Sequence, residues 1–187
     1  MNPPELPATW PVTIAGMKRD LPLFEISPGV RIAILNILGD SELVQAASAA
    51  LAGKLGDFNA DVLVSPEAKA IPLAHALSID MQLPYVVLRK SLKPYMGDAL
   101  ASETLSITTG QPQMLYLDER DRELVLGKRV ILLDDVISTG STLQGLRLIM
   151  RKAGAEVVTE AAILTEGDRA KWTNIVALGH LPVWVDD

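Results

Sequence analysis

Two adjacent carboxylates, Asp134 and Asp135, stand directly after the apolar run Val130, Ile131, Leu132, Leu133. After Val136 and Ile137 comes a turn of small residues, Ser138, Thr139, Gly140, Ser141, Thr142. Each part has a chemical use. The serine and threonine hydroxyls can donate to phosphate oxygens, and glycine allows close backbone approach or a positive φ. A helix that starts here would point unpaired N–H groups at the same place, and its dipole would favour an anion. Asp134 and Asp135 would repel a phosphate; they suit sugar hydroxyls, or a divalent cation shared with the ligand. The composite reads as a site for a sugar phosphate. Alone, the Ser/Thr/Gly piece would be an ordinary turn with an N-cap. The acid pair at the end of an apolar strand argues for a ligand. No Gly-Lys-Ser/Thr follows, so the turn is not a nucleotide-binding P-loop, and it is not Gly-x-Gly-x-x-Gly either.

Two further segments carry candidate chemistry. Glu67-Ala68-Lys69-Ala70 follows the short apolar run Val62, Leu63, Val64, and Arg89-Lys90 with Lys93 follows another such run. Taken alone, the basic segment would be a solvated patch. Residues 119–123, Glu-Arg-Asp-Arg-Glu, read as a solvated turn. His75 sits in an apolar segment and reads as a packed or surface histidine, and His180 as part of a structural turn. Trp10, Trp172 and Trp184 could each stack on a base, although Trp184, between Val183 and Val185, fits strand packing better.

Composition bounds these readings. The 187 residues suit one domain with one sizeable core. There is no cysteine, which removes disulfides, thiolate metal sites and a cysteine nucleophile. Two histidines are too few for a histidine-rich metal site. With 17 basic against 23 acidic side chains, the net charge of −6 argues against nucleic acid as the main partner. No stretch approaches the roughly 20 apolar residues that span a bilayer. The first eleven residues hold four prolines, with neither a basic start nor an apolar signal core, so a cytoplasmic location is expected.

The elements that must position the candidates alternate. Residues 31–38 are mostly apolar and β-branched, a predicted strand. Asp40-Ser41 offers an N-cap for a helix with Leu43, Val44, Ala47, Leu51 and Leu55 on one face, ending near Gly53 and Gly56. Strands are predicted at 62–64, 85–89, 130–133, 156–164 and 174–178. Helices are predicted from Pro72, with Leu73 and Leu77, and over residues 142–153, closed by Gly154. Alternation with continuous apolar strands indicates an α/β fold, a parallel sheet buried on both faces. Residues 91–113 are different: rich in Ser, Thr, Gly, Pro and Lys, they predict a hairpin of strands 104–109 and 113–117 around Gly110-Gln111-Pro112. A loop this long in a compact domain is often a lid, so residues 95–115 are expected to be mobile without ligand. A small hood is expected from both chain ends, residues 1–30 and 174–187.

Residues 130–142 resemble the phosphoribosyl-pyrophosphate (PRPP) motif of type I phosphoribosyltransferases, and the resemblance is nearest to the adenine-specific members and their bacterial relatives. Pro28-Gly29-Val30 is similar to that family's N-terminal Pro-Gly-Val. Residues 64–70 resemble its pyrophosphate loop, Arg89-Lys90-x-x-Lys93 its basic segment, and 95–115 fall at its flexible catalytic loop. The resemblance implies a single phosphoribosyltransferase domain acting on PRPP and a purine base, with adenine as the default. It implies Mg²⁺, held mainly through the ligand and by Asp134 and Asp135, and a homodimer. By the same resemblance Asp134, Asp135 and Glu67 are catalytic and residues 138–142 bind the 5′-phosphate. Ala68, Lys69, Arg89, Lys90 and Lys93 meet pyrophosphate, and Val30, Arg31 and Val136 border the base. Three departures stand out. Lys69 and Ala70 replace the usual arginine and glycine, Thr108 stands where a glutamate is usual, and Arg31-Ile32-Ala33-Ile34 replaces the usual apolar-Phe-Arg-Asp. The alternatives are a regulator that binds PRPP without turnover and a phosphoribosyltransferase for another base.

Overall fold

The computed structural model describes residues 8–105 and 112–185. The chain opens on three antiparallel strands, β1 (Thr9–Ile14), β2 (Met17–Ser27) and β3 (Val30–Ala33). Helix α1 (Ser41–Leu55) begins at Asp40, whose carboxylate accepts the Leu43 N–H at 3.1 Å. Then follow β4 (Val62–Pro66), α2 (Ile71–Met81), β5 (Tyr85–Leu88), β6 (Leu100–Leu105) and β7 (Pro112–Leu117). A short α3 (Arg122–Val125) leads to β8 (Arg129–Ile137), α4 (Ser141–Lys152), β9 (Glu156–Glu166), β10 (Ile175–Leu181) and β11 (Val183–Val185).

Five strands form one parallel sheet in the order β10-β9-β8-β4-β5. Its strands are apolar on both faces because both faces are covered. Ile131 and Leu133 of β8 pack with Leu43, Leu51, Leu73 and Leu77 of α1 and α2. Val130 and Leu132 face the opposite way, towards Leu143, Leu146, Ile149 and Met150 of α4. From β4 the chain crosses through α2 to β5; from β8 it crosses through α4 to β9, in the other direction. The strand order therefore reverses between β4 and β8. In open α/β sheets a crevice lies at the carboxyl ends of the strands at such a reversal, and ligands bind there.

The other strands differ from expectation in instructive ways. Only Val30–Ala33 of the predicted strand 31–38 is a strand, and it belongs to a separate antiparallel sheet, β1-β2-β3-β11. Residues 34–37 leave that sheet to bury Leu35 and Ile37 against α1 and α2. The hood takes only β11 from the C-terminal side. Residues 175–181, expected in the hood, are β10 of the parallel sheet. Strand β8 does not end at Leu133 but carries both acids and runs to Ile137. Strand β6 starts at Leu100 rather than 104, because Leu100, Ala101 and Ser102 pair with Leu117, Tyr116 and Leu115. The stem of this hairpin is anchored: Met96, Leu115 and Leu117 are buried, and Lys152 Nζ donates to the Ala101 carbonyl at 2.6 Å. Thr108, Gly110 and the rest of 106–111 lie outside the described residues.

Hood and body share one core, since Ile14, Leu21 and Ala33 pack in the same cluster as α1 and α2. A polar tie reinforces the join: Arg19 Nε donates to Asp40 Oδ2 at 2.7 Å. The hydrogen bond from Arg19, with the Leu43 N–H, holds the Asp40 carboxyl below the usual carboxylate range. Asp40→Ala should therefore lose the helix cap, about 1 kcal/mol, and the hood tie with it. At this chain length each kcal/mol lowers Tm by about 2–4 °C. A lowered carboxyl pKa adds stability above the unfolded-state value and loses it in acid, so the deficit should shrink as pH falls towards 3. Calorimetric Tm values at neutral and acid pH check both points; an equal deficit at both would mean that the charge contributes nothing.

Candidate active site

The site assembles at the carboxyl ends of β8 and β4, on either side of the reversal. Strand β8 delivers Asp134 and Asp135, only 8% and 9% exposed. The Asp135 N–H donates to Asp134 Oδ1 at 2.9 Å. Burial, then the charge and hydrogen bond of Asp135, push the Asp134 carboxyl well above the usual carboxylate range, and the charge of Lys90 pulls the other way. Lys90, two strands away on the end of β5, therefore acts on the acid pair. Nothing in the sequence placed it there, because the approach depends on the order of strands in the sheet.

The turn after β8 has the form of an anion cradle. Gly140 takes φ +79°, a left-handed conformation that side-chain-bearing residues rarely adopt. Helix α4 starts at Ser141 after Gly140, which has no side chain to cap it; the Ser141 N–H makes a long 3.4 Å hydrogen bond to Thr139 Oγ1, and the amides that follow face an external acceptor. Ser138 and Thr139 are exposed and Ser141 and Thr142 half-buried. The Thr139 and Ser141 hydroxyls lie 3.0 Å apart, so both crowd the mouth of the turn.

Strand β4 delivers Glu67, Ala68 and Lys69. Ala70 is buried with φ −75°, an ordinary helical value, so this backbone makes no demand for the glycine usual in the family. Lys69 is exposed, its Nζ 3.5 Å from the Leu35 carbonyl. Glu67, expected to be catalytic, is engaged by the basic segment. Arg89 Nε donates to its Oε2 and the Lys90 N–H to its Oε1, each at 2.5 Å. Burial would raise this carboxyl. The Lys90 N–H, the Arg89 hydrogen bond and the charges of Arg89 and Lys93 outweigh burial and hold it below its usual value. A carboxylate kept ionised, with both oxygens occupied, suits positioning rather than proton transfer. It fixes Arg89 and Lys90 against the loop after β4. Arg89 is also tied by its backbone to Tyr116 of β7, through hydrogen bonds of 2.9 and 2.8 Å. Lys93 is half-buried at the start of the Pro94–Met96 turn.

Of the residues expected at the base, Val136 is half-buried and packs with the cluster that the hood shares. Val30 and Arg31 lie in β3 of the hood, paired with Val185 and Trp184. No described group of three or more acidic, histidine or cysteine side chains could hold a metal. Two adjacent carboxylates are nonetheless hard oxygen donors of the kind Mg²⁺ prefers, and they leave most of its coordination to ligand oxygens. His180 is used within the fold, its ring nitrogens 2.9 Å from Thr165 Oγ1 and 2.9 Å from the Gly167 carbonyl. Trp10 and Trp184 pack edge-to-face in the hood, ring centroids 4.9 Å apart.

A family model for the phosphoribosyl transferase domain matches residues 34–177. The chain belongs to this family. The match includes both site loops and the basic segment but leaves out all four hood strands, β1, β2, β3 and β11. An adenine phosphoribosyltransferase of Thermosipho africanus is 32% identical over 167 residues, covering 86% of this chain and 94% of that protein. A hypoxanthine/guanine phosphoribosyltransferase of Methanococcus voltae is 37% identical over 112 residues, covering 60% of this chain. The chain spans only 56% of that relative's length, and 61% of a similar one from Methanococcus vannielii. Among solved structures, the adenine phosphoribosyltransferase of Thermoanaerobacter pseudethanolicus superimposes with a TM-score of 0.66 at 20% identity, covering 92% of this chain and 95% of that one. The fold is thus the type I phosphoribosyltransferase fold, a parallel sheet with flanking helices under a small hood.

Proposed function

We propose that this protein transfers the 5-phosphoribosyl group of PRPP to a purine base, adenine by preference, giving a nucleoside monophosphate and pyrophosphate. The observation that carries this reading is the convergence, across one strand reversal, of a buried acid pair, an uncapped helix N-terminus behind a hydroxyl-rich turn, and the cluster Arg89, Lys90 and Lys93. A sugar carrying an anion at each end fits that spacing of charges. The preference for adenine rests on the Thermosipho relative, an adenine phosphoribosyltransferase similar over 86% of this chain. The hypoxanthine/guanine relatives match shorter stretches.

In this reading residues 138–142 hold the 5′-phosphate and Asp134 and Asp135 hold the ribose hydroxyls. Ala68 and Lys69 meet pyrophosphate from one side, and Arg89, Lys90 and Lys93 from the other. Val30, Arg31 and Val136 border the base. As the bond from the ribose to pyrophosphate breaks and a bond to a ring nitrogen of the base forms, charge builds on the leaving group, and fixed cations stabilise it most at that moment. Mg²⁺, carried by PRPP and held through Asp134 and Asp135, would neutralise further leaving-group charge. The reading also carries a homodimer working in the cytoplasm. No described helix is long and apolar enough to cross a membrane.

The test mixes the protein with PRPP, Mg²⁺ and a panel of purines and follows pyrophosphate. Release fastest with adenine is the expected result. Release with hypoxanthine or guanine alone would move the preference. PRPP binding without release with any base would make the protein a PRPP-binding regulator, and no binding at millimolar PRPP would overturn both readings.

A further inference from the structure

Trp172 ends the short turn Arg169–Trp172 that joins β9 to β10. Its indole N–H donates to the carbonyl of Glu166, the last residue of β9, at 2.8 Å. From this anchor the half-buried ring extends over the turn that follows β8. A β-carbon at Gly140 would lie 3.0 Å from Cη2 and 3.3 Å from Cζ3 of the ring. One rigid side chain therefore spans from the end of one strand to the anion cradle on its neighbour. Two constraints meet at residue 140: a positive φ, and an indole where a side chain would begin.

The cradle has few other restraints of its own. Its internal side-chain ties are confined to Thr139 and Ser141: their hydroxyls lie 3.0 Å apart, and the Ser141 N–H reaches Thr139 Oγ1 at 3.4 Å. A loop that must present several amides inward on so few internal ties gains from an external wall that orders it before the ligand arrives. We propose that Trp172 is a positioning residue for the 5′-phosphate, a strut that holds Gly140 and with it the concave form of residues 138–142. The inference rests on the phosphoribosyl reading of that turn. The 5′-phosphate is remote from the reacting bond and is held alike in ground and transition states. Loss of the strut should therefore raise KM and leave kcat little changed.

The test compares wild type, Trp172→Phe and Trp172→Ala, with ribose 5-phosphate and PRPP as probes. Calorimetry reads affinity, steady-state kinetics reads the KM-against-kcat split, and Tm confirms folding. Trp172→Ala should weaken both ligands roughly tenfold, the scale of one modest contact, with kcat near wild type. Trp172→Phe keeps a ring over Gly140 without the N–H anchor; it should fall between the two and keeps the proposal testable should Trp172→Ala not fold. Emission offers an independent signature. Trp10 and Trp184 pack on each other in the hood, so a fluorescence change on adding ribose 5-phosphate should come from Trp172 and vanish in Trp172→Phe. Gly140→Ala adds a coupling test: the loss it causes should be smaller in the Trp172→Ala background, because the ring no longer opposes the new methyl. Equal affinities in wild type and variants, with PRPP bound by all, would overturn the strut alone. A wild type that binds neither probe would overturn the phosphoribosyl reading, and this inference with it.

Discussion

Replacing Asp134 and Asp135 together by asparagine should lower kcat/KM by roughly 10²–10³-fold, the cost of removing a preorganised electrostatic contact, and leave Tm unchanged or higher. The two effects share one cause. Both carboxylates lie at the end of β8, less than a tenth exposed, and among the described residues neither forms an ion pair. Burial and the neighbouring charge of Asp135 oppose ionisation of Asp134, and Lys90 offsets this only in part. Adjacent like charges held out of water destabilise a folded chain, and a chain keeps such a pair when a ligand answers it. Asparagine keeps the shape and removes the repulsion, so the fold should relax as the ribose contact is lost. At this size each kcat/KM loss can be set beside a Tm shift of about 2–4 °C per kcal/mol. A Tm several degrees lower in a double variant that also lost activity would mean the pair is structural.

What the sequence makes legible here is the part that burial and local chemistry dictate. Residues 62–64 and 130–133 are apolar without alternation because their strands are covered on both faces, and the structure places them side by side at the centre of the sheet. Helix α1 is legible from Asp40 and the spacing of Leu43, Ala47 and Leu51. The turn 138–142 is legible as a cradle because hydroxyls, a glycine and a helix start stand together in the chain. Pairings over long separations are not legible. Residues 31–38 look like a core strand, yet Val30–Ala33 pairs with β2 and β11 in the hood, and Leu35 and Ile37 supply the apolar pattern from irregular backbone. Residues 175–181 look like an end segment, yet β10 pairs with β9. At the site, the reach of Lys90 to the acids, the grip of Glu67 on Arg89 and the indole over Gly140 join residues 22 to 44 positions apart, and no local pattern announces them.

The grip of Glu67 on Arg89 has the second large consequence. Glu67→Gln should lower kcat roughly a hundredfold, the scale of a displacement of about 1 Å in a catalytic group, with a smaller effect on PRPP affinity. The carboxylate accepts from Arg89 Nε and from the Lys90 backbone N–H, and so fixes the Arg89 guanidinium and the backbone that carries Lys90, two of the four cationic residues proposed to face pyrophosphate. An amide in its place presents one oxygen and one N–H group, and the N–H group repels one of the two donors. The cations then wander where their charge is needed most, as the leaving group gains its own. A double-mutant cycle identifies the route. If Glu67 works through Arg89, Glu67→Gln with Arg89→Gln should be little worse than Arg89→Gln alone. Strict additivity would show instead that Glu67 acts on the substrate directly. Stability gives a separate reading of the same contact. The Glu67 carboxyl is held below its usual value, so its charge adds stability above the unfolded-state pKa of about 4.3 and loses it in acid. The Tm deficit of Glu67→Gln should be greatest near neutral pH and close towards pH 3. A deficit that did not change with pH would mean that shape, and not charge, holds the basic segment in place.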